Sequence, residues 1–291
     1  MLDCMAVDFL PVCKDDLIER NIQELDFVFV SADGYVDHPS FAASLLGRLL
    51  EANGYTVGII AQPDFHSAES FKILGRPRLA FLVSGGAMDS MVSNYTANNK
   101  PRSEDVYAHG GCAWHRPDRA VIQYVAKIRE AYKGVNIVIG GIEASMRRTA
   151  HYDYWSNAVR RSMLVDSGAD LLIFGMGERA LLEVAADLQQ GVEIGNIQDV
   201  QGTCYKVPNM DYVWDYLPLP SYQEVSSDKK KFAEAFKLEY LEQDAFRGRR
   251  LAQQNDEWCV VQNPPAKPLS EEQMDEIYDL PYMRTWHPIY D

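Results

Sequence analysis

Val138–Ser145 reads VIGGIEAS, and Asp170–Arg179 reads DLLIFGMGER. Each is an apolar run that breaks at glycine and then meets a glutamate, Glu143 in one and Glu178 in the other. An apolar run bounded by glycine has the pattern of a parallel strand buried on both faces. Glycine at its carboxyl end allows a sharp turn or the close approach of a ligand, because no Cβ stands in the way. Ligands of open α/β sheets bind at such ends. Two of them in one chain predict a Rossmann-like domain with a binding cleft.

The flanking sequence extends that pattern. DFVFVSA (26–32), YTVGIIA (55–61) and RLAFLVS (78–84) are three further strands, and Val135–Gly140 and Asp170–Phe174 are the fourth and fifth. Between them lie helical patterns. The first is entered at Pro39 and carries Phe41, Leu45 and Leu49 on one face; the others are 118–132 and 178–190. Strand and helix alternate, as in a parallel sheet with right-handed crossovers. The fold class is therefore α/β: a doubly wound five-stranded parallel sheet, Rossmann or flavodoxin-like, of order 2-1-3-4-5. Residues 1–25 are a lead-in, 26–190 the Rossmann-like domain and 191–291 an α+β, mainly helical extension punctuated by proline. In the extension 203–207 and 258–262 read as strands, and 229–246 and 270–278 as helices.

Composition narrows the function. The 291 residues are 47% hydrophobic and 24% charged, which requires a packed core. The net charge of −14 repels a phosphate backbone and an anionic membrane surface, so neither nucleic acid nor membrane is expected as a partner. No run is long enough to span a bilayer, and the start MLDCMAVDFL does not read as a signal peptide. Five scattered cysteines (Cys4, Cys13, Cys112, Cys204, Cys259) suit a reduced, cytoplasmic protein.

The candidate cleft residues follow from the switch-point rule: Asp37, His38, Gly85, Gly86, Gly140, Gly141, Glu143, Gly175, Gly177 and Glu178. Peptide N–H groups at the following helix starts would hold a polar or anionic group. Gly140-Gly141 lacks the full GxGxxG fingerprint, and Gly175-Met176-Gly177 supplies half of it. Asp37-His38 would act as an acid/base or ligand pair, or else cap the helix at Pro39. His109, Cys112 and His115 have zinc-like spacing but no fourth partner, so no metal site is assigned. Arg147, Arg148, Arg160 and Arg161 bracket HYDYW (151–155); a packed, salt-bridged surface is preferred there to a phosphate clamp. No residue is assigned as catalytic.

The same residues carry a family resemblance. IVIGGIEAS (137–145) and DLLIFGMGERALLEV (170–184) resemble strands of the cobalamin-binding-like domains that precede radical S-adenosylmethionine (SAM) cores. The segments 26–64, 75–92 (GRPRLAFLVSGGAMDSMV) and 140–155 (GGIEASMRRTAHYDYW) resemble the amino-terminal region of YgiQ-type radical SAM proteins. So do FLP at 9–11, VQNPPAKPLS (261–270) and EEQMDEIYDLPYMRTWHP (271–288). In that family a catalytic half follows, with a CxxxCxxC motif whose thiolates hold a [4Fe–4S] cluster that leaves one iron for SAM. Here successive cysteines are 9, 99, 92 and 55 positions apart, and no such trio exists.

The resemblance implies an accessory domain of a radical SAM enzyme of unknown substrate. It would pack on the radical SAM core of the same polypeptide and shape access to it, and would be inactive alone. [4Fe–4S] and SAM are expected in the full-length protein and no cofactor is assigned to this chain. Cobalamin is possible without histidine ligation, because the DxHxxG signature is absent and Pro39 follows Asp37-His38. A small-molecule ligand is the remaining partner class. The rival readings are a stand-alone protein binding a nucleotide or corrinoid-like ligand, and a free-standing hydrolase or metalloenzyme using Asp37, His38 and the His109–His115 loop.

Overall fold

The computed structural model describes residues 8–291; Cys4 and the first part of the lead-in lie outside the described residues. Strands β1 (Phe27–Ser31), β2 (Val57–Ala61), β3 (Ala80–Ser84), β4 (Ile137–Gly140) and β5 (Leu171–Ile173) run parallel. They lie in the order β2-β1-β3-β4-β5, the doubly wound arrangement with its switch between β1 and β3. Side chains alternate between two faces. Phe27, Phe29, Ile59, Leu82, Val138 and Ile173 pack beneath the helices Ala42–Ala52 and Glu178–Gln189. Val28, Val30, Phe81, Val83, Ile137 and Ile139 pack beneath the helix Ala120–Ala131 through its Val121, Tyr124, Val125 and Ile128. Burial on both faces explains why these strands are unbroken apolar runs.

The sheet does not stop at five strands. β6 (Thr203–Val207), β7 (Tyr216–Pro218), β8 (Arg250–Asn255) and β9 (Trp258–Gln262) extend it to nine. β6 pairs antiparallel with β5, β9 with β6, and β8 with β9; β7 closes that edge parallel to β8. The extension therefore shares the sheet through four strands, of which β7 and β8 are additional to the expected two. β8 was not foreseen because RLAQQN is polar for a buried strand. Its Gln253 accepts the Ala150 N–H at 2.7 Å and donates to the Pro220 carbonyl at 2.9 Å, and Asn255 accepts the Ser162 N–H at 2.9 Å. Buried amides satisfied in this way can occupy a core position.

Two helices differ from expectation. Pro39 does not open the first one. Phe41 N–H bonds back to the His38 carbonyl in a turn, and the helix begins at Ala42. The charged helix of the extension ends at Leu241 rather than Phe246, and Phe236 and Tyr240 on it are exposed.

Candidate functional site

At the carboxyl ends of the parallel strands lies a cavity of about 330 Å³, within the size range of small-molecule sites. Its walls come from β1, β3, β4 and β5 (Phe29, Leu82, Val138, Ile173) and from the two helices on that face (Leu45, Leu46, Leu181). Gly140, Gly141, Gly175, Gly177 and Glu178 line it, so five of the predicted cleft residues meet at one place. Gly141 has φ +79, and a Cβ there would press on Ser84 Oγ. Only glycine lets β4 turn beneath the cavity in this way.

Glu178 is the charged group of this wall. It is 5% exposed, and its Oε2 has no hydrogen-bond partner. It opens the helix Glu178–Gln189, whose positive end favours an anion. At this helix start, where a polar or anionic ligand group was expected, the chain places a carboxylate of its own.

The other predicted residues serve the scaffold around the cavity. Asp37 is buried against Arg48 at 2.5 Å and accepts the Met283 N–H at 3.0 Å. It neither caps a helix nor lines the cavity. His38 Nδ1 accepts the Ser40 N–H at 3.1 Å, which fixes the turn. Gly85 gives its carbonyl to Arg116 and packs on Glu143. Gly86 has φ +92 and lies against the Asp33–Arg116 pair. Glu143 accepts the Ser90 N–H at 2.9 Å and the Val121 N–H at 3.1 Å, pinning two helix starts to the short helix after β4. Burial, with Asp89 nearby, pushes its carboxyl above the ordinary range.

Sequence reasoning missed Arg116, which is fully buried between Asp33 at 2.7 Å and Asp105 at 3.1 Å. It also missed Tyr278, which reaches the cavity from the helix Glu271–Tyr278. Neither carries a local signal. One sits in a patternless loop, and the other is brought in from a distant element.

A [4Fe–4S] cluster does not fit the residues present. A [4Fe–4S] cluster needs neighbouring thiolates. Cys112 is exposed, while Cys204 and Cys259 are buried on opposite faces of the sheet. Among the described residues no three histidine, cysteine or acidic side chains are grouped to hold a metal. His109 stacks on Tyr290 with centroids 5.2 Å apart. No histidine lines the strand-end cavity, so no imidazole is placed there to ligate cobalt. The arginine segment is a salt-bridged surface: Arg147 meets Asp89, Arg160 and Arg161 meet Asp166, and Arg148 bonds Gln262 at 2.7 Å. No helix among the described residues is long and apolar enough to cross a membrane.

Comparison with known proteins gives a family. The family model described as "Radical SAM N-terminal" matches residues 9–291. A UPF0313 protein of Clostridium botulinum (strain ATCC 19397 / Type A) is 55% identical over 285 residues, covering 98% of this chain and 44% of that protein. One from Clostridium perfringens (strain ATCC 13124) is 56% identical over 284 residues, covering 97% and 43%. The chain thus spans less than half the length of these relatives. Among solved structures, the radical S-adenosylmethionine methyltransferase TsrM from Kitasatospora setae, with tryptophan substrate and a SAM analogue bound, aligns with a TM-score of 0.41. The alignment has 18% identity and covers 62% of this chain and 28% of that one. TsrM with cobalamin and a [4Fe–4S] cluster bound aligns with the same TM-score, 15% identity and coverage of 63% and 27%.

Proposed function

Since this chain belongs to the Radical SAM N-terminal family, we propose that it is the accessory module of a radical SAM enzyme. In this reading it packs on a catalytic half carried by the rest of the polypeptide and shapes access to it. [4Fe–4S] and SAM chemistry belongs to that half, of the YgiQ type, in a cytoplasmic enzyme. The observation that carries the reading is an apolar rim beside the cavity. Ile142 (47% exposed) and Met146 (66%) stand on the short helix Gly141–Ser145 after β4 and at its end, and Met176 (62%) stands on the loop after β5. The Gly175 N–H donates to Ser145 Oγ at 3.2 Å and ties the loop after β5 to that helix. Large apolar side chains grouped on one surface mark an interaction site. The relatives supply the length of chain to cover it.

Charge placed in that rim tests the reading. A carboxylate trapped in a dry interface costs several kcal/mol. In the full-length protein, Ile142→Asp with Met176→Asp is expected to separate the halves and expose the sequence after Asp291 to limited proteolysis. Wild-type resistance in the double variant would sink the proposal.

A further inference from the structure

We propose that the strand-end cavity binds a small apolar molecule carrying a protonated amine, held by the carboxylate of Glu178. This rests on the reading of the strand ends as the working face, and names what occupies the space beside the docked surface. The argument is one of accounting for buried carboxylates. Around the same strand ends Asp33 has Arg116, Asp37 has Arg48, Asp89 has Arg147, and Glu143 has two backbone N–H groups. Glu178 is as buried as these, yet its Oε2 meets no donor. Its neighbour Arg179 gives its Nη2 to the Pro268 carbonyl and Gln273, and its Nε, also buried, makes no bond to Glu178. A buried acceptor left without a partner is expensive, and a native protein retains one where something else supplies the donor.

The lining fixes the class of that donor. A carboxylate only accepts, and a cationic N–H gives it the strongest bond available. The rest of the wall is mainly apolar (Leu45, Leu82, Val138, Ile173), with the hydroxyls of Ser40, Ser84 and Tyr278 at its polar points, which calls for a largely apolar body. A phosphate or carboxylate ligand is disfavoured, because the Glu178 carboxylate on the same wall would repel it.

Calorimetric titration of the full-length protein with hexylamine, hexan-1-ol and hexanoate tests the assignment. Hexylamine is expected to bind at least about tenfold more tightly than hexan-1-ol, the lower end of what a hydrogen bond to a charged group is worth, and hexanoate most weakly. Glu178→Gln keeps the shape and should reduce hexylamine to the level of the alcohol. Glu183→Gln, which removes the same charge from the exposed side of the helix, should leave the preference intact; this controls for the general attraction of a cation to a chain of net charge −14. Equal binding of amine and alcohol, or a preference that survives Glu178→Gln, overturns the proposal. Either result leaves the docking of the two halves untouched, since that is read by proteolysis.

Discussion

Arg48 and Asp37 form an ion pair of 2.5 Å in which both side chains are buried. The pair joins the helix after β1 to the short strand Val36–Asp37, and through the Met283 N–H it ties in the carboxyl-terminal segment. Removing one partner strands the other charge. Arg48→Met is expected to cost about 3–5 kcal/mol, measured by denaturant unfolding. Asp37→Asn should cost less, because Arg48 keeps Glu51 at 2.8 Å. The double variant Arg48→Met/Asp37→Leu should recover much of the loss, since neither buried charge then remains.

Gly86 and Gly54 share a left-handed backbone, with φ of +92 and +86, but not a setting. A Cβ at Gly86 would overlap Asp33 Oδ1 and the Arg116 guanidinium, whereas one at Gly54 meets nothing within 4 Å. Gly54→Ala should therefore cost about 1 kcal/mol for backbone conformation alone. Gly86→Ala adds disruption of a buried ion pair and should lose about 3 kcal/mol or more. Urea midpoints for the two variants decide it; similar losses would contradict the packing at Gly86.

His151 has its imidazole lowered to about 4 by burial, with Arg147 and Arg160 adding to the effect against the Thr149 carbonyl and Asp153. The folded protein then holds it neutral while the unfolded chain takes up a proton near pH 6.5. Its contribution is full above about pH 6.5 and falls as pH drops from there toward about 4, where both states are protonated. Compared with wild type, His151→Asn should flatten unfolding stability across that window. An unchanged slope would mean that His151 does not titrate between the two states.

The thiols divide by burial. Cys204 is pushed up to about 12 and Cys259 to about 11, both chiefly by burial, while Cys112 is exposed. The thiolate is the reactive form. Iodoacetamide at neutral pH should modify Cys112 in the native protein and reach Cys204 and Cys259 only after denaturant is added. Native labelling of Cys204 would contradict its place in the sheet.

How far the sequence could be read follows from where each signal lies. β1 to β5 were legible because burial on both faces leaves unbroken runs such as Phe27–Val30, and the glycines ending them marked the cavity floor. Glu178 was legible by position, but its lack of a partner was not, since that depends on where Arg179 turns. β8 was hidden by Gln253 and Asn255, whose partners Ala150, Pro220 and Ser162 lie far off in sequence. The Asp37-His38 pair promised chemistry because adjacency was visible, while the buried Arg48 that claims Asp37 was not.

Methionine oxidation by dilute peroxide in the full-length protein tests most directly whether the strand-end rim is covered. In this chain Met146 and Met176, 66% and 62% exposed, are more open than Met274 at 36%. Docking of the catalytic half on the rim predicts the reverse order of rates, with Met146 and Met176 oxidised more slowly than Met274. If both react faster than Met274, the rim is bare and the accessory-module account fails.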